Sequence, residues 1–147
     1  GSSIKIAIET LTETQIDDLV NMPKVIELEL NDMPITLCHG SPVDVDEYIY
    51  PDSDLSNLSW LTDIASQLII CGHTHYPMLL EWNGKKILNP GSVGQSRNGV
   101  AKAHWVLFDT EEKTFKFMME DYNINTILDA VRAIDPTNLY LQKVLTR

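Results

Sequence analysis

Four consecutive apolar residues, Leu68-Ile69-Ile70-Cys71, run directly into Gly72-His73-Thr74-His75. A strand with no polar side is one covered on both faces, so this segment belongs in the middle of a layered fold. Around it the chain mixes strand and helix signals. Residues 25–30 and 35–38 read as strands about a turn at Asn31-Asp32. Residues 78–82 and 85–88 flank Asn83-Gly84, the strongest short hairpin signal because both residues tolerate positive φ. Residues 105–108 and 114–120 make another hairpin, with Phe115, Phe117 and Met119 alternating onto one face. Residues 4–8 read as a short strand. Thr12 and Gln15 form a capping box that opens a helix whose apolar side is Ile16, Leu19 and Val20. Leu55, Leu58, Leu61 and Ile64, three apart, predict a helix, and Ile124, Ile127, Leu128 and Val131 predict another. A last helix is expected to start with Asp135 as N-cap and Pro136 at its first position. Strands and helices without strict alternation predict an α/β (α+β) fold, a largely antiparallel or mixed sheet flanked by helices.

A length of 147 residues suits one domain with a sizeable core. Acidic residues outnumber basic ones 21 to 11, a net charge of −10, which argues against binding the nucleic-acid backbone. No apolar run reaches the ~18 residues of a membrane span, and no signal peptide is visible. Two cysteines, Cys38 and Cys71, exclude a disulfide scaffold and suit a reducing, cytoplasmic setting. The chain opens Gly1-Ser2-Ser3 and has no methionine before Met22. Residues 1–3 are therefore read as a cloning remnant, and 4–147 as a partial domain, truncated or rearranged.

The chemistry concentrates where apolar strands end. His39 lies in Thr36-Leu37-Cys38-His39-Gly40-Ser41-Pro42, and His73 and His75 follow Cys71. Strand ends deliver side chains to a shared crevice, and in extended backbone His73 and His75 project to one side. Gly40 and Gly72 remove a side chain beside each histidine, so that backbone or ligand can approach. Clustered imidazoles point to a borderline metal such as Zn, Mn or Fe; the alternative is three separate core or loop histidines. Cys38 and Cys71 read as buried strand cysteines rather than zinc ligands, because Cys38 and His39 face opposite ways along a strand. His104, between Ala103 and Trp105, reads as structural. The loop Asn89-Pro90-Gly91-Ser92-Val93-Gly94-Gln95-Ser96-Arg97 is either a plain turn or one whose amides face an anion that Arg97 pairs with. Asp44, Asp46, Glu47, Asp52 and Asp54 read as a solvated loop rather than a hard-cation site, with Ser53 or Asp54 capping the next helix.

In this order and spacing, His39-Gly40-Ser41-Pro42, Glu47-Tyr48-Ile49-Tyr50-Pro51-Asp52, Gly72-His73-Thr74-His75 and the Asn89 to Gln95 loop resemble the calcineurin-like metallophosphoesterases. The likeness is to their small bacterial and archaeal phosphodiesterase branch, from about Leu11 onward. It implies a β-sandwich flanked by helices, here incomplete in its N-terminal half. It also implies two divalent metals (Mn, Fe, Ni or Zn) that polarise a phosphate ester and activate water for in-line attack. His39 and His73 would then be ligands of one metal and His75 of the other, with Gly40, Ser41, Thr74, Asn89, Gly91, Ser92 and Arg97 on the substrate side.

The sequence also departs from that family. Its Asp-x-His, Gly-Asp and Gly-Asn-His motifs are absent, and no histidine precedes His39. Residues 4–8 are similar to the family's first strand but continue into Glu9-Thr10-Leu11. Either the chain begins downstream of the Asn-His motif, or an internal stretch is missing. Three neutral imidazoles without a bridging carboxylate do not offset the repulsion of two dications, so this chain is expected to hold one metal or none and to be inactive alone. Asp44 or Asp46 are candidates to replace the family's missing general acid. The net charge favours small phosphodiesters over polyanions. Exposed strand edges predict a homodimer or a complex with the missing half. The competing expectation is a non-catalytic module, like the retromer subunit of this fold, that contacts a protein through an exposed Tyr48, Tyr50 and Trp60 region or through the surface bared by the missing half.

Overall fold

The computed structural model describes residues 2–146. Strands β1 (Val25–Leu30) and β2 (Met33–Cys38) pair antiparallel, from Val25 opposite Cys38 to Leu30 opposite Met33. Asn31 and Asp32, at φ 47° and 59°, make the tight turn between them, a left-handed pair whose twist matches that of the strands. Strand β3 (Leu68–Ile70) lies parallel to β2 on one side and to β5 (Lys85–Asn89) on the other, and β4 (Met78–Trp82) closes the sheet beyond β5. The order is β1-β2-β3-β5-β4, with the Asn83-Gly84 turn joining β4 and β5 as expected. Strands β6 (Ala103–Asp109) and β7 (Thr114–Glu120) form a separate two-stranded sheet.

The apolar β3 is central, with strands on both edges and cover on both faces. Leu68 belongs to a cluster with Met33, Ile35 and Leu88, against which Ile70 and, from the second sheet, Val106, Phe108 and Phe115 pack. Ile69 and Cys71 belong to the opposite cluster with Ile49, Trp60, Leu61, Met78 and Ile87. Leu68 and Ile69 have no exposed surface, and burial of each such side chain stabilises by about 1.5–3 kcal/mol. The result is three layers: the β6–β7 hairpin, the five-stranded sheet, and the irregular segment 49–64.

That segment departs from the single helix expected there. Leu55–Asn57 is a 3₁₀ turn and Trp60–Asp63 a short α-helix, α3. Apolar residues three apart eclipse one another at the 3₁₀ period rather than the α period, and Leu55, Leu58 and Ile64 still pack inward. Asp54 caps the turn, its Oδ1 accepting from Ser56 N at 3.0 Å.

Two other expectations are corrected. Residues 4–8 are not a strand: they lie in helix α1 (Ser2–Thr10), where Thr10 Oγ1 donates to Ile6 O at 2.7 Å and Lys5 pairs with Glu9. An alternating segment becomes a strand only beside a partner strand; without one, a helix satisfies its backbone locally. Of the expected three-residue remnant, Gly1 lies outside the described residues. The last helix, α5 (Leu139–Val144), is capped by Asn138 rather than Asp135: Asn138 Oδ1 accepts from Leu141 N at 3.0 Å. Asp135 instead closes α4 (Ile124–Ile134), donating its N–H to Val131 O, and Pro136 has no N–H with which to continue that helix. The capping box of α2 (Glu13–Val20) is present as expected, with Gln15 N donating to Thr12 Oγ1 and Thr12 N to Gln15 Oε1. Leu19 and Val20 on its apolar side are exposed. Among the described residues no helix is long and apolar enough to cross a membrane.

Candidate metal centre

Strands β2 and β3 are parallel neighbours, so their C-terminal ends open at the same edge of the sheet. His39 follows β2 directly, and Gly72 N donates to His39 O at 2.8 Å, tying the two chain ends together. Across that tie His73 Nδ1 and His39 Nε2 stand 2.9 Å apart, with their rings edge to face at 71°. His39 is exposed and His73 half-buried.

The backbone here is not extended. His73 and His75 have φ of 60° and 62°, so the expectation that an i, i+2 pair on an extended strand projects to one side is corrected. Left-handed backbone is costly for non-glycine residues and persists where surrounding structure enforces it. The enforcing residue is Asn89, which has no exposed surface. Its Nδ2 donates to Gly72 O at 2.6 Å and to Thr74 Oγ1 at 3.0 Å, and its Oδ1 accepts from Gly91 N at 2.9 Å. Thr74, equally buried, donates Oγ1 to Ile49 O at 3.1 Å. One amide thus clamps the Gly72–His75 turn to the loop after β5. Beyond the clamp His75 Nδ1 lies 2.8 Å from Gln95 O. A carbonyl only accepts, so Nδ1 carries the proton, and in the neutral ring Nε2 keeps its lone pair free for a ligand.

His73 is held below its ordinary pKa of 6.5, first by burial, then by His39, Arg97 and His75, with Asp46 opposing. It is therefore neutral at pH 7, the form that binds metal. The cysteines behave oppositely. Burial, aided by Glu47, pushes Cys38 up to about 11, and burial pushes Cys71 up to about 12. Both stay protonated as inert thiols, in keeping with the buried-cysteine reading. His104 is also buried, with Nε2 donating to Val100 O at 3.4 Å, as a structural histidine.

The other predicted residues divide. A Cβ on Gly40 would lie 2.6–2.8 Å from the carbonyl oxygens of Asp44, Val45 and Glu47, so glycine is needed there by the loop rather than by a ligand. Ser41 is buried and closes the same turn, its Oγ accepting from Asp44 N at 3.0 Å. Ser41, Thr74 and Asn89 are turned inward as scaffolding. Gly91, at φ 90°, packs on His104; Ser92 Oγ accepts from Gln95 N at 2.9 Å. Arg97 reaches the site through its backbone N–H to His75 O at 3.5 Å. The acidic loop serves local structure: Asp44 Oδ1 accepts from Asp46 N, and Glu47 Oε2 from Trp60 Nε1.

Three participants were not singled out from the sequence as part of the histidine site. The Tyr48 ring lies against His73, centroids 4.1 Å apart, and stacks on Tyr50 at 6.0 Å. The buried Ile49 between two tyrosines was the available signal for this arrangement. The Gln95 carbonyl and Tyr140, whose hydroxyl accepts from Arg97 Nη2 at 3.2 Å, left no local signal, because both act across distant parts of the chain.

Among the described residues no group of three or more His, Cys, Asp or Glu side chains gathers around one point. The His39–His73 separation of 2.9 Å matches two nitrogens sharing one ion, which sit roughly 3 Å apart when each is about 2.1 Å from it at a right angle. The chain's own donors thus fit part of a coordination shell, two imidazoles with a third nearby.

Residues 11–113 match the calcineurin-like phosphoesterase superfamily domain. Over 132 residues the chain is 26% identical to an uncharacterised protein of Methanocaldococcus jannaschii, covering 77% of this chain and 51% of that one. Over 76 residues it is 34% identical to a probable metallophosphoesterase of the same organism, covering 51% of this chain and 36% of the relative. The fold superposes on a hypothetical protein of Pyrococcus horikoshii with a TM-score of 0.82 at 23% identity, covering 93% of this chain and 55% of that one. A metallophosphoesterase of Sphaerobacter thermophilus gives 0.81 at 23% identity, with 93% and 62% covered. The chain therefore spans about half the length, or less, of these two curated relatives. With the match extending over more than half of the chain and both histidine-bearing turns inside it, this chain belongs to the calcineurin-like phosphoesterase superfamily.

Proposed function

We propose that the chain carries the histidine side of a metal-dependent phosphoesterase centre, which hydrolyses phosphate mono- or diesters once further ligands complete it. The observation that supports this is the His39–His73 pair, two imidazole nitrogens brought to 2.9 Å by adjacent parallel strand ends. His39 and His73 would hold one ion (Mn, Fe, Ni or Zn) and His75 Nε2 a second in a complete, dinuclear domain; this chain alone holds one or none. A divalent ion bound there supplies Lewis-acid polarisation of a phosphoryl oxygen and makes water more acidic. The protein's own work is positional. Asn89 fixes the turn that aims His73 and His75, Gln95 O sets the tautomer of His75, and the loop of Gly91, Ser92 and Arg97 borders the substrate side. The remaining ligands, a bridging carboxylate among them, come from outside the described residues. Free thiols suit a cytoplasmic setting, and the net charge of −10 favours small phosphodiesters. The outer edges of β1 and β4 are unpaired within the five-stranded sheet, which supports a homodimer or a complex with a segment that supplies the remaining ligands.

Metal content and hydrolysis of bis(p-nitrophenyl) phosphate test the reading. The chain reconstituted with Mn²⁺ is expected to take up at most one equivalent, and His73→Ala to reduce that uptake. Unchanged metal content in His73→Ala removes the proposed site. A second reading, a non-catalytic protein-binding module, is favoured by the absence of a three-donor cluster among the described residues and by the exposed Tyr48; Trp60, expected on the same surface, is instead buried in the core beneath it. No metal uptake together with a stable protein complex selects it.

A further inference from the structure

Arg97 is placed in a way its folded partners do not explain. Its Nε is sealed from solvent and has no acceptor, and Nη2 donates to the Tyr140 hydroxyl at 3.2 Å. The chain has 21 acidic residues. Yet among the described residues the ion pairs use Lys5, Lys86, Lys102 and Arg132, and none involves Arg97. A guanidinium cannot shed its proton, so the charge stands uncompensated, which is costly for a half-buried group. The position is nevertheless well built. Arg97 N is joined to His75 O, Gln95 O to His75 Nδ1, and Asn98 Oδ1 braces the next turn by accepting from Ser96 Oγ at 2.6 Å and Val100 N at 3.1 Å. The backbone bond to His75 O sets Arg97 beside the histidine turn. A cation with spare N–H donors and no internal counter-charge, beside the histidine turn, is complementary to an oxyanion.

We propose that Arg97, held by Tyr140, is the oxyanion-binding residue of this site, taking the non-bridging oxygens of a phosphate ester whose reacting end lies at the histidines. The placement of the reacting end rests on the phosphoesterase reading above; the binding of phosphate by Arg97 does not. Arg97 contacts substrate, whereas Tyr140 is a positioning residue that fixes the guanidinium through one N–H and leaves the others for the ligand. The ligand class is a small phosphate mono- or diester, for which inorganic phosphate and dimethyl phosphate are the probes.

The test uses the full chain, metal-free in EDTA, with the arginine Nε–H signals followed by NMR during titration at constant ionic strength. The Arg97 signal is expected to shift saturably with either probe. Arg97→Lys should weaken binding roughly tenfold or more, and Arg97→Gln should abolish it, as expected for loss of a charge-assisted contact. Tyr140→Phe, which keeps the ring, should weaken it several-fold, and Lys102→Gln, on a surface ion pair, should leave it unchanged. The proposal is overturned if the Arg97 signal stays fixed or moves without saturating, or if Arg97→Gln binds as wild type does. Should Arg97→Gln fail to fold, the wild-type titration and Tyr140→Phe still decide. Saturable phosphate binding together with metal content unchanged by His73→Ala would leave Arg97's role standing and remove the proposed metal site; metal uptake lowered by His73→Ala without phosphate binding would do the reverse.

Discussion

His73 carries the site's electrostatics at the level of a single ring. Burial and the positive or polar groups His39, Arg97 and His75 hold it below 6.5, against the pull of Asp46. A folded-state value below the unfolded one means that the unfolded chain takes up the proton first as pH falls. The associated stability is present above about pH 6.5 and is lost as pH drops through the folded value. In an NMR titration of the metal-free chain, the His73 Cε1–H midpoint should lie below 6.5, and Arg97→Gln should raise it. A midpoint unmoved by Arg97→Gln would mean that the guanidinium does not act on that ring. Asn89 is the structural counterpart. Asn89→Ala leaves Gly91 N without its acceptor and removes the amide donor from Gly72 O, which keeps Thr74 N; one unmet backbone group should cost about 1–3 kcal/mol in urea unfolding. His39, His73 and His75 were legible as a group because each follows a short apolar strand. Their left-handed backbone was not, since spacing alone says nothing about φ, and the clamp that imposes it reaches from Asn89 to Gly72.

Among the elements, β3 makes the sharpest claim. Leu68 faces one apolar cluster and Ile69 the other, so both layers should depend on this three-residue strand. Leu68→Ala and Ile69→Ala should each cost about 2–5 kcal/mol, whereas Ile26→Ala on the edge strand β1, 45% exposed, should cost under about 1 kcal/mol. Equal, small losses at 68 and 69 would contradict the three-layer arrangement. What was readable at this scale was what local chemistry decides: the Asn83-Gly84 hairpin, the Thr12/Gln15 capping box and the doubly apolar β3. What was not readable depends on a neighbour. Residues 4–8 alternate like a strand but find no strand to pair with, and four apolar residues at spacing three were folded as a 3₁₀ turn plus one helical turn against Trp60. Asp135 and Asn138 are both competent caps; Pro136 between them ends one helix without starting the next.

Across the whole molecule the charge is lopsided, and this bears on how the chain responds to salt. The formal net charge is −10. The ion pairs among the described residues are surface ones, such as Lys5–Glu9 and Arg132–Asp129, and each is worth about 0–1 kcal/mol at most. Five carboxylates, Asp44, Asp46, Glu47, Asp52 and Asp54, crowd one loop beside the histidines. Repulsion among like charges therefore outweighs the attractive pairs, and folding gathers these charges closer than they are in the open chain. Screening relieves repulsion and attraction alike, with a Debye length of about 10 Å at 0.1 M salt, so the larger of the two governs the sign. Raising NaCl from about 20 mM to about 200 mM should accordingly raise Tm by a few degrees, on the order of 0.5–1 kcal/mol for a domain this size. Reversing one exposed charge, Asp52→Lys, should flatten that dependence while leaving Tm at high salt nearly unchanged. A Tm that falls with salt would show that the few ion pairs, rather than the acidic excess, dominate the electrostatics of this fold.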